Sequence, residues 1–215
     1  MNSPRLNNNN GPLNELYIRR SVETINRALT VNPRTMAIRI DLRLPEVIEN
    51  HFDFDAPPEF YNIDLGMITR FFSSLQSQIQ HDLDRKRNRG IRVHDCDVRY
   101  VWVMEFSKKK NKLHYHVLLL LNNDTYFSLG DCRDIYPQNN LISKIRKAWA
   151  SALNGSYESC MYLVHVPDNP IVHLDCNSSS FGFYYDELIY RVSYMAKDKS
   201  KHYCKEYRSF GCSQR

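Results

Sequence analysis

The chain has 215 residues, 42% of them hydrophobic and 25% charged, with 7 Gly and 9 Pro. That supports one substantial domain with its own core and excludes a wholly disordered or collagen-like chain. The net charge of +5 is too modest to demand a polyanionic partner, and the longest apolar run, residues 117–121, is far too short to cross a bilayer.

Residues 1–12, with Asn7 to Asn10 followed by Gly11-Pro12, read as a disordered leader. Residues 13–32 read as an N-terminal helix, with Leu16, Val22, Ile25 and Leu29 at helical spacing and Pro33 as its stop. Residues 36–44 alternate: Met36, Ile38, Ile40, Leu42 and Leu44 on one face, Arg39, Asp41 and Arg43 on the other, as in a half-buried strand. Residues 50–62 contain Pro57-Pro58 and read as a loop. Residues 64–87 fit a long amphipathic helix burying Leu65, Ile68, Phe72, Leu75, Ile79 and Leu83. After a basic connection, residues 98–106 and 113–122 read as two strands joined by the six-residue loop 107–112. A helix over 140–153 carries Ile142, Ile145 and Trp149, and residues 162–166 and 171–175 look like a hairpin around Pro167-Asp168-Asn169-Pro170. Residues 183–197 form a final helix, and 201–215 a basic tail. Tightly joined strands interspersed with helices predict an α+β domain over 33–200, with a central, mainly antiparallel sheet and helices packed on it.

Basic residues cluster in three blocks: Arg85, Lys86, Arg87, Arg89 and Arg92; Lys108, Lys109, Lys110 and Lys112; and Lys197, Lys199, Lys201, Lys205 and Arg208. Any one block is ordinary for a solvated loop or helix end; three together favour a partner rich in phosphate. Six cysteines without a CxxC pair argue against a zinc knuckle or a redox motif. With no secretory leader in view, reduced thiols in a cytoplasmic protein are expected.

The stretch from Leu113 to Leu121 holds the pattern His114-Tyr115-His116. Side chains alternate along a strand, so both imidazoles point to one face, shared with Leu118 and Leu120. Tyr115, Val117, Leu119 and Leu121 fill the other, as in a central strand covered on both sides. Buried imidazoles need polar partners. A metal ion would satisfy both; two core histidines held by ordinary hydrogen bonds are the alternative. In the preceding strand Glu105 is the single acid of an apolar run. If Phe106 pairs with Leu113 to close the loop, Glu105 sits opposite His114 and Val103 opposite His116, whereas a one-residue slip turns Glu105 away. Two nitrogens and an oxygen with open positions suit a catalytic divalent metal. An exposed strand-end Glu remains the plainer reading.

The second pattern is Tyr190-Arg191-Val192-Ser193-Tyr194-Met195-Ala196-Lys197. On a continuous helix Tyr190, Tyr194 and Lys197 share one stripe, while Leu188, Val192, Met195 and Ala196 form an aliphatic one. An unaided phenol is a weak nucleophile; a metal that polarises a phosphodiester, with a nearby lysine, would correct that. Two half-exposed tyrosines among 14 are the alternative.

The His114-Tyr115-His116 pattern resembles the HUH motif, and Tyr190-xxx-Tyr194-xx-Lys197 resembles the two-tyrosine motif of rolling-circle replication initiators. The wider chain is similar to inovirus-type, filamentous-phage gene II-like initiators, also found in bacterial prophages. The likeness runs from about residue 33 to the end and includes Ile40 to Pro45, Trp102-Val-Met-Glu105, Trp149, Tyr-Met-Ala-Lys and Phe210-Gly211-Cys212-Ser213. The resemblance implies a five-stranded antiparallel palm related to RRM and ferredoxin-like folds. It implies Mg²⁺ or Mn²⁺ on His114, His116 and Glu105, where imidazole chemistry alone leans to a softer metal. It implies Tyr194 as first nucleophile, Tyr190 as the second and Lys197 as a charge stabiliser. The implied reaction is transesterification of single-stranded DNA at a replication origin, leaving a 5′-phosphotyrosine and a free 3′-OH. DNA contacts are expected from Lys108, Lys109, Lys110, Lys112, Arg191, Lys199 and Lys201. No GxxxxGK[ST] P-loop is present, so a host helicase and polymerase are expected partners. The rival readings are a noncatalytic single-stranded nucleic-acid binder on the same palm, a transposase or relaxase of the HUH type, and a metal-dependent hydrolase with incidental tyrosines.

Overall fold

The computed structural model describes residues 5–7, 9, 11–45, 61–107, 112–197 and 208–214, with the side chains of Ser107 and Lys112 excepted. In chain order these residues form α1 (Glu15–Val31), β1 (Arg34–Arg43), α2 (Met67–Asn88), β2 (Arg99–Ser107), β3 (Lys112–Asn122), α3 (Leu141–Leu153), the short α4 (Tyr157–Cys160), β4 (Val164–His165), β5 (Ile171–Asp175), α5 (Phe181–Ser193) and β6 (Phe210–Cys212). All the strand pairings are antiparallel, in the order β4-β1-β3-β2-β6, with β5 also paired to β1. This is the α+β architecture expected, with six strands rather than five.

Strand alternation splits the chain between two cores. One face of the sheet carries Met36, Ile38, Ile40, Leu42, Tyr115, Val117, Leu119 and Leu121 and packs against α2 and α3. Trp149 of α3 is fully buried there, donates its indole N–H to the Arg43 carbonyl at 2.9 Å and meets Phe71 edge-on. The other face carries Ala37, Val101, Val103, Leu118, Leu120, Val172 and Leu174 and packs against Ile25, Ala28 and Leu29 of α1 and Leu188, Ile189 and Val192 of α5. β3 is thus covered on both sides, as its two apolar faces require.

The hairpin expected over 162–175 does not form. β4 pairs with Asp41–Leu42 and β5 with Arg34–Ile38, so the two lie end to end along the same edge of β1. The cause is the connection: Pro167 and Pro170 lack an N–H, Asn169 takes a left-handed φ of 48°, and the Pro170 carbonyl accepts from Arg39 N–H at 2.8 Å. The segment between them is an outward excursion within one interrupted edge strand.

Other boundaries shift for local reasons. α2 starts at Met67, not residue 64, because the Asp64 carboxylate accepts from Gly66 N–H at 2.6 Å and pairs with Arg70, which favours a turn over helix. Leu65 is consequently exposed, and so is Leu16 on α1. Residues 50–60 of the expected loop lie outside the described residues. Of the expected tail, Phe210–Cys212 form the edge strand β6; a Cβ on Gly211 would sit 2.5 Å from the Trp102 ring, so only glycine lets β6 lie flat there. Of the expected leader, Asn7 N–H donates to Ser193 Oγ at 2.8 Å; Leu13, expected to open the N-terminal helix, instead bridges to Lys197 ahead of it. No helix among the described residues is long and apolar enough to cross a membrane.

Candidate active site

The β2–β3 register is the one the loop length predicts: Phe106 pairs with Leu113, Glu105 with His114 and Val103 with His116. On the other side of β3, Asp41 of β1 pairs with His116. Glu105, Asp41 and both imidazoles therefore share one face, at the end of the sheet beyond the apolar α1–α5 contact. Among the described residues Glu105, His114 and His116 offer one ligand atom each, all within 4.8 Å of one another. Glu105 Oε2 lies 3.3 Å from His116 Nε2 and 3.9 Å from His114 Nε2. Metal–ligand bonds of about 2.1 Å put neighbouring donors about 3 to 3.5 Å apart, so the spacing fits one small divalent ion with modest closure.

Protonation supports the same use. His116 Nδ1 is 2.6 Å from Asp41 Oδ1 and 3.1 Å from an Arg39 nitrogen. Both cannot bond a single nitrogen in the same way; the shorter contact, to a carboxylate, keeps the proton on Nδ1 and directs the Nε2 lone pair towards Glu105. Burial works to raise the Asp41 carboxyl, but the hydrogen bond with His116 and the neighbouring Arg39 and His165 outweigh it and hold it at about 2. Burial, then the neighbouring His116, lowers the His114 imidazole against the opposing pull of Glu105 and Asp41. A neutral imidazole is the form that binds metal. A carboxylate as buried as Glu105, 3% exposed, needs a cation; Lys197 Nζ lies 3.3 Å from its Oε2.

The tyrosine segment departs from the expected continuous helix. α5 ends at Ser193, whose hydroxyl donates to the Tyr190 carbonyl at 2.7 Å, and Tyr194–Ala196 tighten into a 3-10 turn. Lys197 is extended, held by its bridge to Leu13, while Asn14 N–H donates to the Ala196 carbonyl at 2.8 Å. The turn brings Lys197 Nζ to 3.8 Å from the centre of the Tyr194 ring, which itself lies 6.4 Å from the His116 ring. The Arg39 guanidinium also lies over the Tyr194 ring, 5.4 Å from its centre. The aliphatic stripe is buried as expected, at Leu188, Val192, Met195 and Ala196. Tyr190 stands one turn away under the Arg5 guanidinium, 5.0 Å from its ring centre, and shares a cavity wall with Tyr194.

The expected DNA contacts fare unevenly. Lys108, Lys109, Lys110, Lys199 and Lys201 lie outside the described residues, as does the side chain of Lys112. Arg191 is engaged internally, with Glu187 at 2.7 Å and the Asn169 carbonyl at 2.6 Å. In the first basic block Arg85 and Lys86 pair with Asp82, and Arg87 with Asp84 and Asp95. Those charges chiefly neutralise local acids. Sequence reasoning missed Asp41, Arg39 and His165, which back the histidine pair. Asp41 and Arg39 stand on the polar side of an alternating strand, a pattern that by itself reads as solvent-facing.

The family model described as the YagK/YfjJ C-terminal domain matches residues 1–213. The chain is 37% identical over 183 residues to the uncharacterized protein YagK of Escherichia coli (strain K12), covering 85% of this chain and 84% of that protein. It is 35% identical over 201 residues to the uncharacterized protein YfjJ of the same strain, covering 93% and 94%. No solved structure matches the chain. With almost its full length accounted for in this way, the chain belongs to the YagK/YfjJ C-terminal domain family.

Proposed function

We propose that this chain is a metal-dependent enzyme that nicks and rejoins single-stranded DNA through a tyrosine, initiating and terminating rolling-circle replication of a phage or related element, as in the inovirus-type initiators it resembles. One observation carries the reading: the convergence of Glu105, His114 and His116 under a turn that sets Tyr194 and Lys197 beside them. A structural cluster would account for the histidines, for Glu105 and for Lys197 as its counter-ion; what favours the catalytic reading is the Tyr194 ring set beside them.

Mg²⁺ or Mn²⁺ held by these three side chains would polarise the phosphodiester and neutralise its charge. The chain's own residues supply the rest. The Tyr194 phenol gives its proton to water and its oxygen bonds to phosphorus; the bond from phosphorus to the 3′ oxygen breaks, and that oxygen takes a proton from water and leaves as a hydroxyl. Lys197, beside the ring, stabilises the phenolate and the phosphoryl charge. Asp41 keeps His116 in the tautomer that presents Nε2. Tyr190, which lines the same cavity as Tyr194, would make the second transfer that rejoins the strand.

The test is a covalent-adduct assay on single-stranded DNA tiling the genomic region around the gene, with Mn²⁺ or Mg²⁺. The expected product is a protein–DNA adduct that survives denaturation, absent with chelator and in His114→Ala. An adduct that persists in the Tyr190→Phe, Tyr194→Phe double variant would overturn the nucleophile assignment.

A further inference from the structure

Beside the metal group, between α5 and the 166–170 excursion, lies a cavity of about 330 Å³. Its apolar wall comes from Ala37, Leu118 and Val172, and both Tyr190 and Tyr194 line it. Its volume is at the small end of ligand pockets, enough for one flat ring and its substituents and not for a duplex. Arg39 on its wall keeps a buried Nε with no hydrogen-bond partner among the described residues. That nitrogen is sealed from solvent, so the edge of a ligand would be read instead by the polar groups that line the cavity, Asn7, Asp168 and Asn169.

The charges argue against a phosphate as occupant. The terminal nitrogen of Arg39 faces Asp41 at 3.6 Å, Arg191 is held by Glu187, and Asp168 adds an acid at the rim. The cavity thus has little surplus positive charge, yet it has aromatic and apolar walls with polar groups at the edge. That combination suits an uncharged planar heterocycle recognised by stacking and by hydrogen bonds at its edge. Asn7 completes the wall from the N-terminal segment, tied to Ser193 through its backbone N–H.

We infer that this cavity is a subsite for one nucleobase of the single strand, on a nucleotide adjoining the bond to be cut, and that it contributes the sequence preference of the reaction. The inference rests on the nicking reading for the identity of the polymer, but base binding itself needs neither metal nor cleavage.

The experiment is equilibrium binding of the four deoxynucleosides, one at a time, to the metal-free full chain, followed by NMR and tyrosine fluorescence. Saturable binding is expected, with one base preferred at least tenfold. Ala37→Leu should fill the cavity and weaken that binding at least tenfold while leaving Mn²⁺ binding unchanged. Should Ala37→Leu fail to fold, Asp168→Ala on the exposed loop decides the matter: it is expected to alter the order of preference among the bases. Absence of saturable binding to the intact chain, or binding unchanged in both variants, overturns the subsite. Nucleoside binding without any tyrosine–DNA adduct would leave the subsite standing and count against the nicking reading.

Discussion

The two faces of the sheet are built from the same alternating strands and do opposite work. The face towards α2 and α3 is almost wholly apolar and closes on Trp149, with a buried polar cluster set apart around Asp82. The face towards α1 and α5 begins as an equally apolar core around Leu118 and Leu120 and then, two residues along β3, turns into His116, His114, Glu105 and Asp41. Burying carboxylates and imidazoles at a strand end weakens a core, so a fold retains such a cluster at a site that uses it. If the proposed function holds, one face carries stability while the end of the other would carry chemistry, and perturbing each should give a separable result.

The largest stability effect belongs to the first face. Trp149→Ala removes a fully buried indole and its hydrogen bond and should cost about 3 to 5 kcal/mol, read by denaturant unfolding. Mn²⁺ affinity of the molecules that remain folded should not change; a parallel loss would mean that the two faces are not separable. On the second face, Asp41→Asn keeps the volume and removes the charge behind His116, and should weaken metal binding by about 10- to 100-fold with little change in unfolding midpoint. Equal affinity in variant and native chains would remove Asp41 from the site.

Acid should strike the first face through Asp82. Burial alone would raise this carboxyl, but its contacts with Lys86, Lys144 and Tyr126 bring it down from 3.8 to about 2. A group with a depressed folded pKa stabilises above its unfolded pKa and loses that contribution as pH falls towards the folded one. About 2 kcal/mol should therefore disappear between roughly pH 4 and pH 2, and unfolding of Asp82→Asn should lack that component of the acid transition. The smallest effect is expected at the half-exposed pair Glu187–Arg191: Glu187→Gln should change stability by no more than about 0.5 kcal/mol. A larger loss would show that this pair, through the Asn169 carbonyl, anchors the excursion beside the cavity.

Much of this division is legible in the sequence, for physical reasons. The alternation around His114 and His116 and a six-residue loop closed by Phe106 and Leu113 give one plausible register with Glu105 on the histidine face, and that register is the one found. The aliphatic stripe of α5 is equally plain. Three features were not legible. β4 and β5 look like a hairpin because proline-bounded turns usually reverse a chain; that they share one edge of β1 depends on the free length of β1, a tertiary fact. The break of α5 before Tyr194 depends on the pairing of Leu13 and Asn14 with Lys197 and Ala196, far apart in the chain. Asp41 and Arg39 gain their meaning once β1 is known to lie beside β3, because isolated charges on alternate positions normally mark a solvated face.

The central claim is that the end of the second face holds a divalent metal on Glu105, His114 and His116. Electron paramagnetic resonance of Mn²⁺ titrated into the full chain tests it most directly, with His116→Ala as the comparison and circular dichroism as the check on folding. One bound Mn²⁺ per native chain is expected, with its loss from the folded variant. No bound Mn²⁺ in the native chain, or the same binding in His116→Ala, would contradict it.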